Sequence, residues 1–187
     1  MIDNLTIFNF LTKEECELLL NFSLTNDLKK AEINKGNGAE VSKVRDSNIF
    51  MYDYTLEFPF LKEKLINTFK KEVNIKGFDI DFTNNLFQFT EYKTNGHYDW
   101  HVDSTPTIYP DRFCSMVIQL NDEYIGGDLQ IKEINGNEIT LKRGTGNLFI
   151  FYSHMTHRVT QVESGVRYSL VNWFKMTPKE NFKKTLI

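Results

Sequence analysis

Before Phe78 two stretches carry apolar residues at a helical spacing, and after it the chain breaks into short β-type runs separated by turn residues. Thr12-Lys13-Glu14-Glu15 has the form of a capping box, in which Thr12 accepts from the amide three residues on and Glu15 reaches back. Cys16, Leu19, Leu20 and Leu24 then share one face, which predicts an amphipathic helix to about Leu24 that covers the outside of a sheet. Asp27 to Glu40 is polar, carries Gly36 and Gly38, and reads as a hairpin or mobile loop. Val41 to Tyr54 reads as extended, with a strand over Ser47 to Tyr52. Pro59, favourable in a first turn, opens a second helix whose Leu61, Leu65, Phe69 and Val73 are spaced four apart. The lysines and glutamates between them form a solvated face.

From Phe78 the reading is β. Short runs at Phe82–Tyr92, Tyr98–Asp103, Phe113–Asn121, Asp128–Lys132, Glu138–Leu141, Asn147–Tyr152, His157–Val162 and Val166–Phe174 are separated by turn residues. Such spacing predicts a sandwich or barrel, and these runs fit a jelly roll. Asn135-Gly136, between Ile131 and Ile139, is a hairpin signal. Thr177-Pro178-Lys179-Glu180 reads as the N-cap of a short terminal helix, and Asn181 to Ile187 as a surface tail. The fold class is therefore mainly β with flanking helices. One domain over 1–187 is expected: N-terminal helices and strands over 1–77, a jelly-roll core over 78–175 and a tail over 176–187.

The 187 residues suffice for one domain with a substantial core, and the net charge of −3 advertises no basic face to nucleic acid or anionic lipid. The N-terminus lacks a basic leader pattern and no apolar run approaches membrane-spanning length, so a soluble, cytoplasmic protein is expected. Cys16 and Cys114 are read as buried free thiols, with pairing left open.

Chemistry concentrates in two stretches. In an extended strand His101 and Asp103 point the same way, and His157 completes a set of two imidazoles and one carboxylate. Such a set leaves coordination positions open, which suits non-haem Fe(II), whereas structural zinc wants four protein ligands. A His-x-Asp pair alone is weak evidence. Arg167 strengthens it: it follows His157 by ten residues with Gly165 as a turn between them, so two antiparallel strands would bring ligand and guanidinium into one pocket. A buried arginine is costly unless it meets an anion, and its fork suits a carboxylate; a structural salt bridge to a glutamate is the competing reading.

The pattern Tyr92…Gly96…Tyr98-x-x-His101-x-Asp103, Gly126-Gly127-Asp128-Leu129, Gly146 to Phe151, then His157-Arg158-Val159…Gly165-Val166-Arg167…Trp173 resembles the Fe(II)- and 2-oxoglutarate-dependent dioxygenases. The prolyl 4-hydroxylase-like branch, with its small bacterial and phage members, is most similar, and Val44 to Ser47 adds weaker similarity. The resemblance implies a double-stranded β-helix and Fe(II), 2-oxoglutarate and O2 as cofactor and cosubstrates, with ascorbate as reductant. It further implies His101, Asp103 and His157 as metal ligands and catalytic centre, and Arg167, helped by Tyr92 and Ser169, as the cosubstrate site. Tyr92 competes with a plain core role. Tyr98 and Trp173 are candidate substrate residues ahead of Trp100, while Arg45 is either a substrate contact at the barrel mouth or a solvated strand residue. His154 and His97 are set aside as exposed, neighbouring or pocket-mouth residues, and Gly126-Gly127 as a structural turn.

The implied reaction hydroxylates an unactivated C–H bond, on a prolyl or other protein side chain first, and otherwise on a free amino acid or small metabolite. Asp103 argues against halogenation, which needs the carboxylate missing, and the absence of a second arginine after Arg167 argues against nucleic-acid demethylation. A non-catalytic ligand-binding jelly roll is the rival from another class.

Overall fold

Strand alternation sorts the side chains of the main sheet into a helix-facing set and a cavity-facing set. The computed structural model describes residues 4–34, 39–40, 44–72, 78–81, 86–133 and 135–178. Expectations at Gly36, Gly38, Val73 and Phe82, and from Lys179 onward, lie outside them. In chain order the elements are β1 (Asn4–Ile7), α1 (Lys13–Leu24), β2 (Lys29–Lys30), β3 (Ile33–Asn34), β4 (Ala39–Glu40), β5 (Arg45–Asp46), β6 (Asn48–Asp53), α2 (Tyr54–Glu57) and α3 (Pro59–Glu72). There follow β7 (Phe78–Asp81), β8 (Leu86–Tyr92), β9 (His97–His101), β10 (Cys114–Gln119), β11 (Ile125–Gly126), β12 (Leu129–Lys132) and β13 (Glu138–Thr140). The chain closes with β14 (Leu148–Tyr152), β15 (His157–Val159), β16 (Val162–Ser164) and β17 (Arg167–Pro178).

The larger sheet runs β1-β14-β10-β17-β8-β6-β2, with β7 on β17, and the smaller runs β13-β12-β15-β9-β5. Phe87, Phe89, Cys114, Met116, Ile118, Leu148, Ile150 and Leu170 form one cluster with Leu61, Leu65 and Phe69 of α3 and Cys16 and Leu19 of α1. The intervening positions, among them Tyr92, Val117, Phe149 and Phe151, meet Leu129, Ile131 and Val159 of the smaller sheet in a second cluster. This is a mainly β jelly roll with helices laid on the outside of one sheet. Among the described residues no helix is long and apolar enough to cross a membrane.

The Thr12 and Glu15 capping box is formed and α1 ends at Leu24 as expected. Leu24 itself is 45% exposed, and Ser23 takes the buried position instead, its hydroxyl meeting the Leu19 carbonyl and the Tyr54 hydroxyl. Positions 16, 19 and 23 follow the helical period more closely than 24 does. Tyr54 was expected to end an extended stretch, but it opens α2, capped by Asp53. The run His157–Val162 divides because the chain changes partners: β15 pairs with β12 and β9, and β16 pairs with β11. Thr177 and Pro178, expected to cap a helix, end β17 opposite Phe78 and Asp79, and a proline is tolerated at a strand end. Cys16 and Cys114 are buried free thiols, each pushed up to about 12 by burial.

Candidate active site

The cavity between the sheets has a volume of about 340 Å³. From the larger sheet Gln88 and Tyr92 on β8 line it, together with Val117 on β10 and Arg167, Ser169, Val171 and Trp173 on β17. These are alternate positions on their strands, and the pairing Arg167 with Tyr92 and Val117 with Val171 keeps each neighbouring pair on one face. The smaller sheet contributes Tyr98, His101, Leu129, His157 and Val159.

His157 lies directly opposite His101, but Val159 pairs with Tyr98, so the four residues 98–101 of β9 span the three residues 157–159 of β15. This bulge turns both Tyr98 and His101 into the cavity, although three residues apart on a regular strand they would face opposite ways. β9 ends at His101, and Asp103 follows it with its amide donating to the Ser153 carbonyl at 2.8 Å. One donor atom each from His101, Asp103 and His157 lies within 4.8 Å of the others. Nε2 of His101 stands 3.6 Å from Oδ1 of Asp103, and Nε2 of His157 stands 3.4 Å from Oδ2.

Both imidazoles are fixed on their far side. His101 Nδ1 lies 2.8 Å from the Asp99 carbonyl and His157 Nδ1 lies 2.9 Å from the Met155 carbonyl. A carbonyl only accepts, so Nδ1 carries the proton and Nε2 keeps its lone pair toward the cluster. Burial pushes His157 down to about 4, against the opposing pull of the Asp103 carboxylate, so the ring is neutral at pH 7. Burial alone would raise Asp103, but His157, His101 and the Ser115 hydroxyl outweigh it and hold the carboxyl below its usual range. Neutral imidazoles and an ionised carboxylate are the forms in which these groups bind metal. The donor set fits a divalent non-haem iron with positions to spare, and it lacks the fourth protein donor of a structural zinc site.

Arg167 is 2% exposed. Its Nη1 donates to Ser169 Oγ at 2.9 Å, its guanidinium carbon lies 5.3 Å from the centre of the Tyr92 ring, and its Nε has no partner. Among the described residues no carboxylate pairs with it. Glu91, one position from Tyr92, points to the opposite face of β8 and meets Asn48 and Lys93. The competing glutamate salt bridge is therefore absent, and a buried guanidinium with idle donors fits an incoming carboxylate. β15 and β17 are not hairpin neighbours as expected: they belong to different sheets and face each other across the cavity. Gly165, at φ +83, turns the chain from β16 into β17.

Arg45 is 7% exposed, so the solvated-strand reading fails. Its Nε donates to Ser47 Oγ at 2.8 Å, and its guanidinium lies 4.5 Å from the centre of the Tyr98 ring. Tyr98 in turn stacks on His101 at 3.5 Å, and burial pushes its hydroxyl up to about 12. Trp100 lies off the cavity between Lys132 and Arg158. His154 is exposed on a turn beside Tyr152, and His97 is half-buried beside the Asn95 carbonyl, away from the cluster.

Three contributors were not anticipated. Ser115 donates to Asp103 Oδ2 at 2.5 Å and lies 2.9 Å from Ser153 Oγ, so two hydroxyls orient the carboxylate. Arg112 also lines the cavity, between Tyr109 and Trp173. A hydroxyl inside the otherwise buried strand Cys114–Gln119 was a usable signal for Ser115, since a buried hydroxyl must find a partner.

Residues 87–175 match the family model described as 2OG-Fe(II) oxygenase superfamily. A PKHD-type hydroxylase of Prochlorococcus marinus (strain NATL2A) is 23% identical over 92% of this chain and 78% of its own length. A PKHD-type hydroxylase of Synechococcus sp. (strain CC9311) is 32% identical over 54% of this chain and 46% of its own, and most of the curated relatives are matched over about half their length. Among solved structures, a Pseudomonas putida prolyl-4-hydroxylase superposes with a TM-score of 0.69 at 19% identity, covering 92% of this chain and 91% of that one. A Trichoplax adhaerens prolyl hydroxylase in complex with a peptide fragment of a hypoxia inducible factor superposes with a TM-score of 0.77 at 16% identity, covering 97% and 86%. The sequence match is centred on the strands that build the cavity: over residues 87–175 the chain is similar to the 2OG-Fe(II) oxygenase superfamily, and it shares its jelly-roll fold with the prolyl hydroxylases.

Proposed function

We propose that the protein hydroxylates an unactivated C–H bond with Fe(II), 2-oxoglutarate and O2. One oxygen atom enters the C–H bond and the other enters succinate, with carbon dioxide leaving from the cosubstrate. The observation that carries this reading is one shared cavity: a three-donor cluster on one wall faces a buried guanidinium without a carboxylate partner on the other.

In this assignment His101, Asp103 and His157 hold the iron, which when bound activates O2 in step with decarboxylation of the cosubstrate. Ser115 and Ser153 fix the Asp103 carboxylate, and the Asp99 and Met155 carbonyls fix the two imidazoles. Arg167 receives the far carboxylate of 2-oxoglutarate. Ser169, which already accepts from Arg167, keeps its own proton to donate to that carboxylate, and Tyr92 flanks the guanidinium. Val117, Leu129, Val159 and Val171 line the walls with apolar surface and exclude water from the reacting centre. Tyr98, Trp173 and Arg45 are assigned to the substrate.

A prolyl or other protein side chain is the leading substrate, because the Trichoplax neighbour is a prolyl hydroxylase in complex with a peptide. A free amino acid or small metabolite is the second reading, favoured by a cavity of about 340 Å³, which is the size of a small-molecule site. Protein given Fe(II) and 2-oxoglutarate without oxygen is expected to show a metal-to-ligand visible band, and with air and ascorbate as reductant to release succinate slowly. Absence of both signals would favour a non-catalytic binding module. Mass spectrometry for the gain of one oxygen, comparing the active protein with Asp103→Ala, then separates peptide from small-molecule substrates.

A further inference from the structure

Three guanidiniums line the cavity: Arg45, Arg112 and Arg167. None of them pairs with a carboxylate among the described residues. On the proposed function, on which this inference rests, Arg167 answers to the far carboxylate of the cosubstrate. Asp103 and the near carboxylate together answer to the two positive charges of the metal. Arg45 and Arg112 are left without a carboxylate in direct contact, Arg112 feeling Asp103 and its neighbour Asp111 only at longer range.

Both are held firmly. Arg45 is buried, and one ring, Tyr98, separates it from the imidazole of His101. Arg112 is half-buried, with its guanidinium carbon 3.8 Å from the centre of the Tyr109 ring and 3.9 Å from that of Trp173. A guanidinium carries five N–H donors in its plane; Arg45 gives Nε to Ser47 Oγ and also hydrogen-bonds the Tyr98 hydroxyl, which leaves others along its edge. Tyr109 sits at φ +51, a backbone conformation an aromatic residue rarely adopts. The loop after Asp103 thus accepts backbone strain to keep a ring against Arg112. Stacking recovers only part of the cost of desolvating a cation. Apart from Asp103, the one described carboxylate on the cavity wall is Glu32, which is exposed.

We propose that the substrate carries a carboxylate close to the carbon that is oxidised, and that Arg45 and Arg112 receive it. A neutral peptide would offer them carbonyl oxygens alone, whereas a carboxylate accepts from two forks and supplies the missing negative charge. An acidic side chain beside the target residue and a free α-carboxylate have the same chemistry, and the choice of probe tells them apart.

The test is calorimetric titration of the full chain loaded with Mn(II) and 2-oxoglutarate. One pair of probes is acetyl-Pro-Glu-amide against acetyl-Pro-Gln-amide, and the other is acetyl-Ala-Pro with a free C-terminus against its amide. The acid of at least one pair is expected to bind about tenfold tighter than its neutral twin, the size of one charge-assisted contact. The pair that shows the preference identifies the source of the carboxylate. Arg112→Gln is expected to erase it, and Arg45→Gln does the same wherever circular dichroism reports a native fold. Equal affinity of acid and neutral twin, no binding of either acid, or a preference that survives Arg112→Gln would overturn the proposal. Failure of the protein to take up 2-oxoglutarate would instead overturn the dioxygenase reading beneath it.

Discussion

Replacing Arg167 with methionine keeps most of the side-chain volume and removes the charge. If this guanidinium serves an incoming carboxylate, its loss acts on ligand binding and not on folding. A hydrogen bond to a charged group contributes about 1.5–3 kcal/mol, and breaking a buried, hydrogen-bonded charge pair costs about 2–5 kcal/mol. Taking roughly 3 kcal/mol, the affinity for 2-oxoglutarate falls on the order of a hundredfold. Without ligand the variant should be as stable as the wild type or more so, because Arg167 is 2% exposed with Nε unpartnered and no carboxylate against it. Thermal melting reads both effects. At a ligand concentration about one hundred times its dissociation constant the wild type gains roughly 2.7 kcal/mol. For a chain of this size that is a rise of about 5–10 °C in Tm, which the variant should lack. A variant that melts far lower without ligand, yet binds 2-oxoglutarate as the wild type does, would refute the reasoning and make Arg167 a structural residue.

Other perturbations separate the parts of the site. Ser115→Ala removes the hydroxyl that donates to Asp103 Oδ2 and should weaken metal binding about 10–100-fold, read by Fe(II) or Mn(II) titration; unchanged affinity would show that Asp103 needs no such support. Gly127→Ala places a methyl 2.9 Å from Val162 Cγ2 and 3.3 Å from Arg167 Cδ at φ +62, so the KM for 2-oxoglutarate should rise several-fold while metal affinity holds; the reverse pattern would contradict the packing. Burial lowers His157 from 6.5 to about 4, so between these values the unfolded chain binds the extra proton. Metal-free stability should be full above about pH 6.5 and should fall by on the order of 3 kcal/mol toward pH 4. Asp103, also lowered on folding, extends the loss below its ordinary value of 3.8. Urea midpoints across that range check this, and a flat profile, or one unchanged in His157→Asn, would count against a neutral buried ring.

What was legible in the chain was local. The Thr12 and Glu15 capping box, the short runs that become β8, β10, β14 and β17, and the Asn135-Gly136 turn that sets Ile131 against Ile139 each depend on residues close in sequence. His101 and Asp103 were legible for the same reason, and the placement of Arg167 against the cluster followed from the family pattern. What stayed hidden depends on distant pairings. Alternation alone cannot show the bulge that brings Tyr98 and His101 to one face, because the extra residue is defined only by His157 and Val159 across the ladder. The burial of Arg45 requires β5 to dock on β9, and the Arg112 clamp requires a loop to reach Trp173 on β17. A hairpin between the segments of His157 and Arg167 was the economical guess from Gly165, but pairing of β16 with β11 carries the chain across to the other sheet.

The central claim is that three donors from β9, the turn after it and β15 share one metal opposite Arg167. A crystal structure with Mn(II) and 2-oxoglutarate, the metal located by its anomalous signal, tests it directly. The account predicts a single metal peak bound by His101 Nε2, one oxygen of Asp103 and His157 Nε2, with the far carboxylate of the cosubstrate against Arg167 and Ser169. A metal bound elsewhere, a centre closed by a fourth protein donor, or a cosubstrate that leaves Arg167 untouched would contradict it.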